Sequence, residues 1–281
     1  MHPAAAAAQS TGPAPLVSVT AIIPARFDSS RLPGKPLADI CGRPMIEHVY
    51  RRASAATRID RVIVATDDPR ILDTVRSFGG EARMTRRDHP TGSDRLAEVA
   101  RELDVPLVVN VQGDEPLVDP TLIDRMVSKL AGDPNLGIAT ACCPVSDAAE
   151  HASPHVVKVV TDGRGDALYF SRAPIPHRAD ADAPRNEPPF GWKHIGLYAY
   201  RHAALLALAA TPPTALERTE QLEQLRALET GVRIGVVQTD FVPVGVDTPE
   251  DLEQVRRLMS TGGDGISSSI TSGTRLEPRR R

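Results

Sequence analysis

Three fixed cations, Arg26, Arg31 and Lys35, fall within one short stretch that reads A-I-I-P-A-R-F-D-S-S-R-L-P-G-K-P-L from Ala21 to Leu37. Ser29, Ser30, Pro33 and Gly34 lie among them, so the backbone can curl and offer N–H donors beside the charges. The stretch opens on the end of an apolar, β-branched run, Val17 to Ile23, which reads as a buried strand stopped by Pro24. A basic loop at the end of a first parallel strand is where an open α/β sheet holds an anion, and a nucleoside triphosphate suits it. It is not a Walker A loop, because Gly34-Lys35 runs into Pro36 and lacks the Ser or Thr that binds magnesium. Composition alone would favour a surface loop with scattered basic residues. Two acids stand where metal chemistry is possible: Asp114 ends a hydrophobic strand, and Asp247 precedes a helix start. Taken alone, each is more often a turn or cap residue than a metal ligand, Asp247 as the cap of a helix at Thr248.

The elements that must position these residues alternate regularly. Met45 to Ala56 is predicted as a helix, and Arg61 to Ala65 as a buried strand ending at Thr66-Asp67. Asp68-Pro69 reads as an N-cap and first-turn proline opening a helix to Ser77. A strand over Glu81 to Met84, a helix over Thr91 to Leu103 and a very hydrophobic strand over Leu107 to Val111 follow. Asp119-Pro120 opens the next helix in the same manner, to about Leu130. This alternation gives a parallel sheet covered by helices on both faces.

The second half changes character. Strands are predicted over Gly137 to Cys143 and Val156 to Thr161, with hairpin chemistry at Asp162-Gly163-Arg164-Gly165-Asp166 and a return strand over Ala167 to Phe170. Ala173 to Pro189, rich in proline and charge, reads as a mobile loop. His194 to Tyr200 is predicted as a strand, Ala203 to Ala210 as a helix, and Thr214 to Thr230 as one helix with a Thr214…Glu217 capping box and Gly231 at its end. A strand over Arg233 to Gln238 and a helix from Thr248 to about Met259 complete the fold. Residues 1–15 and 261–281 lack an apolar period and read as disordered tails around a domain at 16–260.

A second group of polar residues comes from this half. In a continuous helix Leu222, Leu225 and Leu228 form one apolar stripe. Glu220 and Gln224 then lie one turn apart, about 120° from that stripe at about 100° per residue. His194 and Tyr198, four apart on a strand, share one face. Arg172 is a candidate partner for an acidic group, and Lys158 is either a second one or a strand-edge charge.

Bulk properties exclude several classes. A net charge of −3 argues against a general nucleic-acid binder, so the cations act locally. No run of about eighteen apolar residues exists to span a membrane, and the alanine-rich start lacks the basic region of a secretory signal. Of the three cysteines, Cys142 and Cys143 are adjacent, so neither a disulfide framework nor a zinc spacing can be read. A reducing cytoplasm is the simplest setting for them.

The opening loop resembles the signature loop of sugar-nucleotide cytidylyltransferases, closest to the 3-deoxy-manno-octulosonate (Kdo) cytidylyltransferase family. Further blocks fit in the family's order: Val64-Ala65-Thr66-Asp67, Asn110 to Pro116, Leu168 to Arg172, His194 to Tyr198, Leu222 to Arg226 and Gly245 to Pro249. The resemblance implies a single open, mostly parallel mixed sheet with helices on both faces, a nucleotidyltransferase-like Rossmann-type fold. It implies that Asp114 and Asp247 are ligands of Mg2+, and that Arg26, Arg31 and Lys35 bind phosphates. It places Arg95 and Gln112 near the nucleotide, and Arg172, His194, Tyr198, Glu220 and Gln224 around the sugar. The implied reaction is attack by the anomeric hydroxyl of an acidic eight-carbon sugar on the α-phosphorus of CTP, by a cytoplasmic homodimer serving lipopolysaccharide biosynthesis. Three rivals remain beside it: transfer to a different acidic sugar or alditol phosphate, a metal-dependent glycosyltransferase, and a binding module without chemistry. The glycosyltransferase typically carries Asp-x-Asp where this chain has Asp114-Glu115-Pro116.

Overall fold

The apolar run Val19–Ala25 forms β1, and all its residues but Pro24 are buried in the computed structural model, which describes residues 17–29, 31–177 and 190–261. Residues 1–15 and 262–281 of the predicted tails lie outside the described residues, as does the 178–189 part of the proline-rich stretch read as a mobile loop, while Thr261, read as tail, is the last residue of the final helix. After β1 come a 3₁₀ turn (Lys35–Leu37), a small hairpin of β2 (Asp39–Ile40) and β3 (Arg43–Pro44), and α1 (Met45–Ser54). The alternating half continues with β4 (Arg61–Thr66), α2 (Pro69–Ser77), β5 (Glu81–Met84), α3 (Gly92–Ala100), β6 (Leu107–Asn110) and α4 (Pro120–Gly132). Then follow β7 (Leu136–Pro144), α5 (Ala148–Ala152), the hairpin β8 (Lys158–Thr161) and β9 (Ala167–Ser171), and β10 (Trp192–Arg201). The chain closes with α6 (His202–Ala210), α7 (Ala215–Glu220), α8 (Gln224–Glu229), β11 (Arg233–Gln238) and α9 (Pro249–Thr261).

The main sheet runs β11-β7-β10-β6-β1-β4-β5, with β8 and β9 attached at the start of β10. All pairings along that path are parallel except those of β10, which is antiparallel to β6 and β7. Period-two alternation divides the core between two faces. Ile23, Val64 and Val109 pack with Ile46, Ile71 and Met126 of α1, α2 and α4. Ile22, Ile63 and Val108 pack with Leu96, Leu205 and Leu225 of α3, α6 and α8. A third, smaller cluster joins Ile40, Met45, Leu117, Val246, Leu252 and Val255, seating α9 on the β2–β3 hairpin.

Local chemistry starts the helices where the sequence indicates. Asp68 and Asp119 accept from the backbone N–H two residues on, each followed by a first-turn proline. Thr91 caps α3 by accepting from Asp94 N. Two expectations are corrected. Pro24 does not stop β1, which runs on to Ala25 beside β4. The carbonyl of Ile22 faces β6 and takes Val111 N–H, so Pro24, two residues on, faces the same way. Pairing with β6 has ended by then, and the missing proline N–H breaks no ladder bond.

The second correction is larger: residues 214–230 are not one helix. At the expected capping box the Glu217 carboxylate accepts from Thr214 N at 3.1 Å, but the helix ends at Glu220, with Gln221 in the left-handed region at φ 54°. Such a residue costs about 1–2 kcal/mol. Tertiary bonds offset it: the Glu220 carboxylate accepts from Ser171 Oγ at 2.6 Å and Arg172 N at 2.9 Å, and its carbonyl accepts from Arg172 Nε at 2.9 Å. These contacts draw the end of α7 onto β9. Glu220 and Gln224 therefore do not stand one turn apart on a common helix face.

Candidate active site

The basic loop is closed at its base by Gly34 N donating to Phe27 O at 3.0 Å. Gly34 has φ +70°, and a Cβ there would lie 3.1 Å from the Phe27 ring. The Arg70 guanidinium covers that ring at 3.3 Å from its centroid, pinning the root of the loop. Lys35 thus enters its 3₁₀ turn with the ammonium directed at two carboxylates. Its Nζ lies 2.6 Å from Asp114 Oδ2 and 3.1 Å from Asp247 Oδ1. Arg31 reaches the other Asp247 oxygen at 3.1 Å, although its side chain is 62% exposed against 14% for Lys35.

Backbone geometry brings the two acids together across 133 positions of chain. A Cβ on Gly113 would stand 2.8 Å from Pro24 O, so glycine alone lets the end of β6 lie against β1. Val246 N then donates to Asp114 O at 2.9 Å, hanging the segment that carries Asp247 on the residue that carries the other carboxylate. The cap reading for Asp247 does not hold. Thr248 Oγ1 accepts from Asp251 N, while the Asp251 carboxylate accepts from the N–H groups of Asp247 and Thr248. The Asp247 carboxylate is left to face the cations.

A cleft of about 620 Å3 opens at this edge of the sheet, lined by Arg26, Arg31, Lys35, Arg95, Gln112, Asp114 and Asp247 among others. Arg26 is exposed at its rim. Arg95 is buried and fixed, with Nη2 2.8 Å from Asp67 Oδ2 and Nη1 donating to Thr85 Oγ1 and the Arg86 carbonyl. Sequence reasoning passed over two lining residues. Arg87 adds another exposed cation, and His89 pairs with Glu98 through Nε2. Beside the acids, burial and then the Asp114 charge push the Glu115 carboxyl up to about 7. Among the described residues no three His, Cys, Asp or Glu side chains cluster as a metal site. Asp114 and Asp247 are the two carboxylates that converge on Lys35 at the cleft.

The predicted sugar-side residues do not line this cleft and fall into two groups. His194 and Tyr198 lie 5.3 Å apart between ring centroids, and Phe170 lies 5.0 Å from His194. In a regular strand residues four apart stand about 13 Å from each other. A bulge shortens the distance, since β10 advances from Ile195 to Tyr198 while β7 advances only from Ala141 to Thr140. Gln112 Nε2 donates to Gly196 O inside that bulge at 3.3 Å, joining the cleft to β10. Burial pushes the His194 imidazole down to about 3 and the Tyr198 phenol up, so both are neutral at ordinary pH. Gln224, buried, begins α8.

Arg172 and Glu220 form the other group and hold each other. Arg172 Nη1 donates to Pro154 O at 3.0 Å, besides the bond of its Nε to the Glu220 carbonyl. Lys158 is neither ligand nor edge charge: its buried ammonium donates to the carbonyls of Ser153, Val156 and Arg172 at 2.8, 2.6 and 2.6 Å. Glu223 was missed. Its carboxylate accepts from Ser93 Oγ at 2.9 Å, and burial holds its pKa above the usual carboxylate range. The block containing it was visible, but a continuous helix would have aimed it elsewhere.

An open, mostly parallel sheet with a cationic loop and two converging acids at one edge defines a nucleotidyltransferase-like protein. Residues 20–234 match the family described as Cytidylyltransferase, and the chain belongs to that family. It is 56% identical over 243 residues to the 3-deoxy-manno-octulosonate cytidylyltransferase of Syntrophotalea carbinolica, covering 85% of this chain and 97% of that protein. The protein of the same name from Geobacter sulfurreducens is 52% identical over 245 residues, covering 85% and 98%. A solved CMP:2-keto-3-deoxy-manno-octonic acid synthetase complexed with CTP superposes with TM-score 0.82 at 46% identity, covering 87% of this chain and 99% of that one. A 4-diphosphocytidyl-2C-methyl-D-erythritol synthase from Anaerococcus prevotii, 16% identical with TM-score 0.59 over 87% of this chain and 97% of its own, shares the fold.

Proposed function

We propose that this chain transfers CMP from CTP to the anomeric hydroxyl of Kdo, forming CMP-Kdo and pyrophosphate for lipopolysaccharide biosynthesis. The observation that carries the proposal is the convergence of Lys35, Asp114 and Asp247 at the cleft, in a chain that aligns with nearly the whole length of Kdo cytidylyltransferases. The anomeric oxygen attacks the α-phosphorus, the bond to the β-phosphate oxygen breaks, and pyrophosphate leaves. Direct displacement fits the cysteines, since burial pushes the Cys142 and Cys143 thiols up to about 12 and about 11 and keeps them from acting as thiolates. Arg26, Arg31 and Lys35 would neutralise the triphosphate and hold the departing charge. Arg95, locked by Asp67, and Gln112 would position the nucleotide.

Two carboxylates sharing one ammonium form a hard oxygen donor set short of a full shell. That fits Mg2+, which keeps waters and takes further ligands from substrate phosphates. Held by Asp114 and Asp247, the ion would supply charge neutralisation at the α-phosphate. On the sugar side His194, Tyr198 and Gln224 would meet the substrate, with Glu223 beside them. Arg172 and Glu220 would act by holding β9 against α7, given how fully their polar atoms are engaged. The family resemblance further supports a homodimer in the cytoplasm, which light scattering and cell fractionation would test. Among the described residues no helix is long and apolar enough to cross a membrane.

Pyrophosphate release measured with CTP and UTP, crossed with Kdo and other acidic sugars, tests the whole reading. Turnover is expected with CTP and Kdo together. Equal turnover with UTP, or with an unrelated acidic sugar, would overturn it.

A further inference from the structure

Thr140 lies in β7 directly across from Tyr198 and is fully buried. The bulge in β10 turns carbonyls of Ile195 and Leu197 toward it, 3.2 and 2.8 Å from its Oγ1. His194 Nε2 lies 2.9 Å from the same oxygen. A hydroxyl has one proton to give and lone pairs to receive with. Were that proton given to Nε2, two buried carbonyl oxygens would face the hydroxyl oxygen with no hydrogen between them. Given to the carbonyls, it leaves the oxygen free to accept, so Nε2 must carry the imidazole proton. The other ring nitrogen, Nδ1, has no hydrogen-bond partner among the described residues.

We propose that Thr140 is a positioning residue for the sugar side: its hydroxyl clamps the β10 bulge and fixes His194 as the Nε2–H tautomer, leaving Nδ1 to accept a hydrogen bond from a sugar hydroxyl. The inference rests on the sugar role assigned to His194 above. Three features support it together. The bulge brings His194 and Tyr198 into contact, with ring centroids 5.3 Å apart. Edge-on contact with Phe170, at 79° between ring planes, restrains the imidazole from turning over. Burial disfavours the imidazolium, which would donate from both nitrogens. An acceptor in this place selects for a hydroxyl donor, so a sugar whose matching hydroxyl is methylated or missing loses the bond.

The test reads the tautomer before it reads activity. A two-bond 1H–15N spectrum of the wild-type protein at pH 7, with the His194 signals assigned through His194→Gln, should show Nε2 protonated and Nδ1 bare. Thr140→Val should lose that pattern and raise KM for the sugar roughly tenfold, the scale of one hydrogen bond, while CTP affinity by calorimetry stays at the wild-type value. Thr140→Ser keeps the hydroxyl and should restore both the spectrum and the sugar KM. An Nδ1–H tautomer or an imidazolium in the wild-type spectrum would overturn the proposal even if Thr140→Val fails to fold. So would a folded Thr140→Val protein with an unchanged sugar KM. If His194→Gln leaves the sugar KM unchanged while the wild-type tautomer is Nε2–H, the sugar role of His194 is at fault, and the role of Thr140 falls with it.

Discussion

Asp114 and Asp247 each face Lys35, and the Asp247 carboxylate has no capping duty, since Thr248 and Asp251 close the first turn of α9 between them. Asn substitution at either position keeps the shape while removing a charge and a strong oxygen ligand. Asp114→Asn and Asp247→Asn should each lower kcat on the order of a thousandfold, about 4 kcal/mol of barrier. If both hold one ion, as proposed, they should be non-additive, the double variant being little slower than either single. Steady-state rates across a magnesium titration check this, and a near-normal rate for Asp247→Asn with unchanged magnesium dependence would remove it from the donor set. His194 carries a pH prediction of definite sign. Its folded pKa of about 3 lies below its unfolded value, so its contribution to stability is present above about pH 6.5 and is lost as pH falls toward 3. Denaturation midpoints should therefore drop less between pH 7 and pH 5 in His194→Gln than in wild type. Equal drops would mean the imidazole ionises freely in the folded protein.

At the scale of elements the break between α7 and α8 gives a prediction whose sign separates two structures. In a continuous helix Gln221→Gly would cost about 1 kcal/mol. At a left-handed position glycine relieves strain of about 1–2 kcal/mol and costs about 0.4–1 kcal/mol through the unfolded chain. Gln221→Gly should thus leave stability unchanged or raise it slightly, and Gln221→Val should lower it, by urea denaturation. A clear loss on Gln221→Gly would restore the single helix. The same contrast shows what the sequence could disclose. Starts of α2, α3 and α4 were legible because their caps are local, an acid or hydroxyl two or three residues from the N–H it accepts. Arg26, Arg31, Lys35 and Asp114, which line the cleft, were legible because a basic loop and a strand end are also local signals. The break at Gln221 was not, because what makes it is a carboxylate bonded to Ser171 and Arg172, some fifty positions away. The β10 bulge was hidden for the same reason. Helical periodicity therefore joined Glu220 to Gln224 and overlooked Glu223, while the pairing of His194 with Tyr198 was right about the face and silent about their contact.

At the scale of the whole molecule the site depends on a cluster that is not its own. Lys35 and Asp247 are 212 positions apart, and their meeting requires α9 to seat on the β2–β3 hairpin. Leu252 and Val255 bury against Ile40, Met45 and Leu117 there. The Arg256 guanidinium donates to Asp39 O at 2.9 and 2.6 Å, tying the same helix to the same hairpin. The two larger clusters hold the sheet but do not include α9. Core substitutions should therefore separate by cluster. Leu252→Ala and Leu205→Ala should each cost about 2–5 kcal/mol of stability, the range for a buried leucine truncated to alanine. Leu205 packs beneath the sheet away from the carboxylates, so the folded fraction of Leu205→Ala should turn over at a near-normal rate. Leu252→Ala loosens the helix that begins one residue after Thr248, and a displacement of Asp247 by about 1 Å is enough to cost up to a hundredfold. Its kcat should fall by at least tenfold at a temperature where both variants are fully folded. Urea denaturation and initial rates on the same preparations decide the matter. If Leu252→Ala lost stability but kept full kcat, α9 would be a dispensable support, and Lys35, Arg31 and the Val246–Asp114 backbone bond would suffice to hold Asp247.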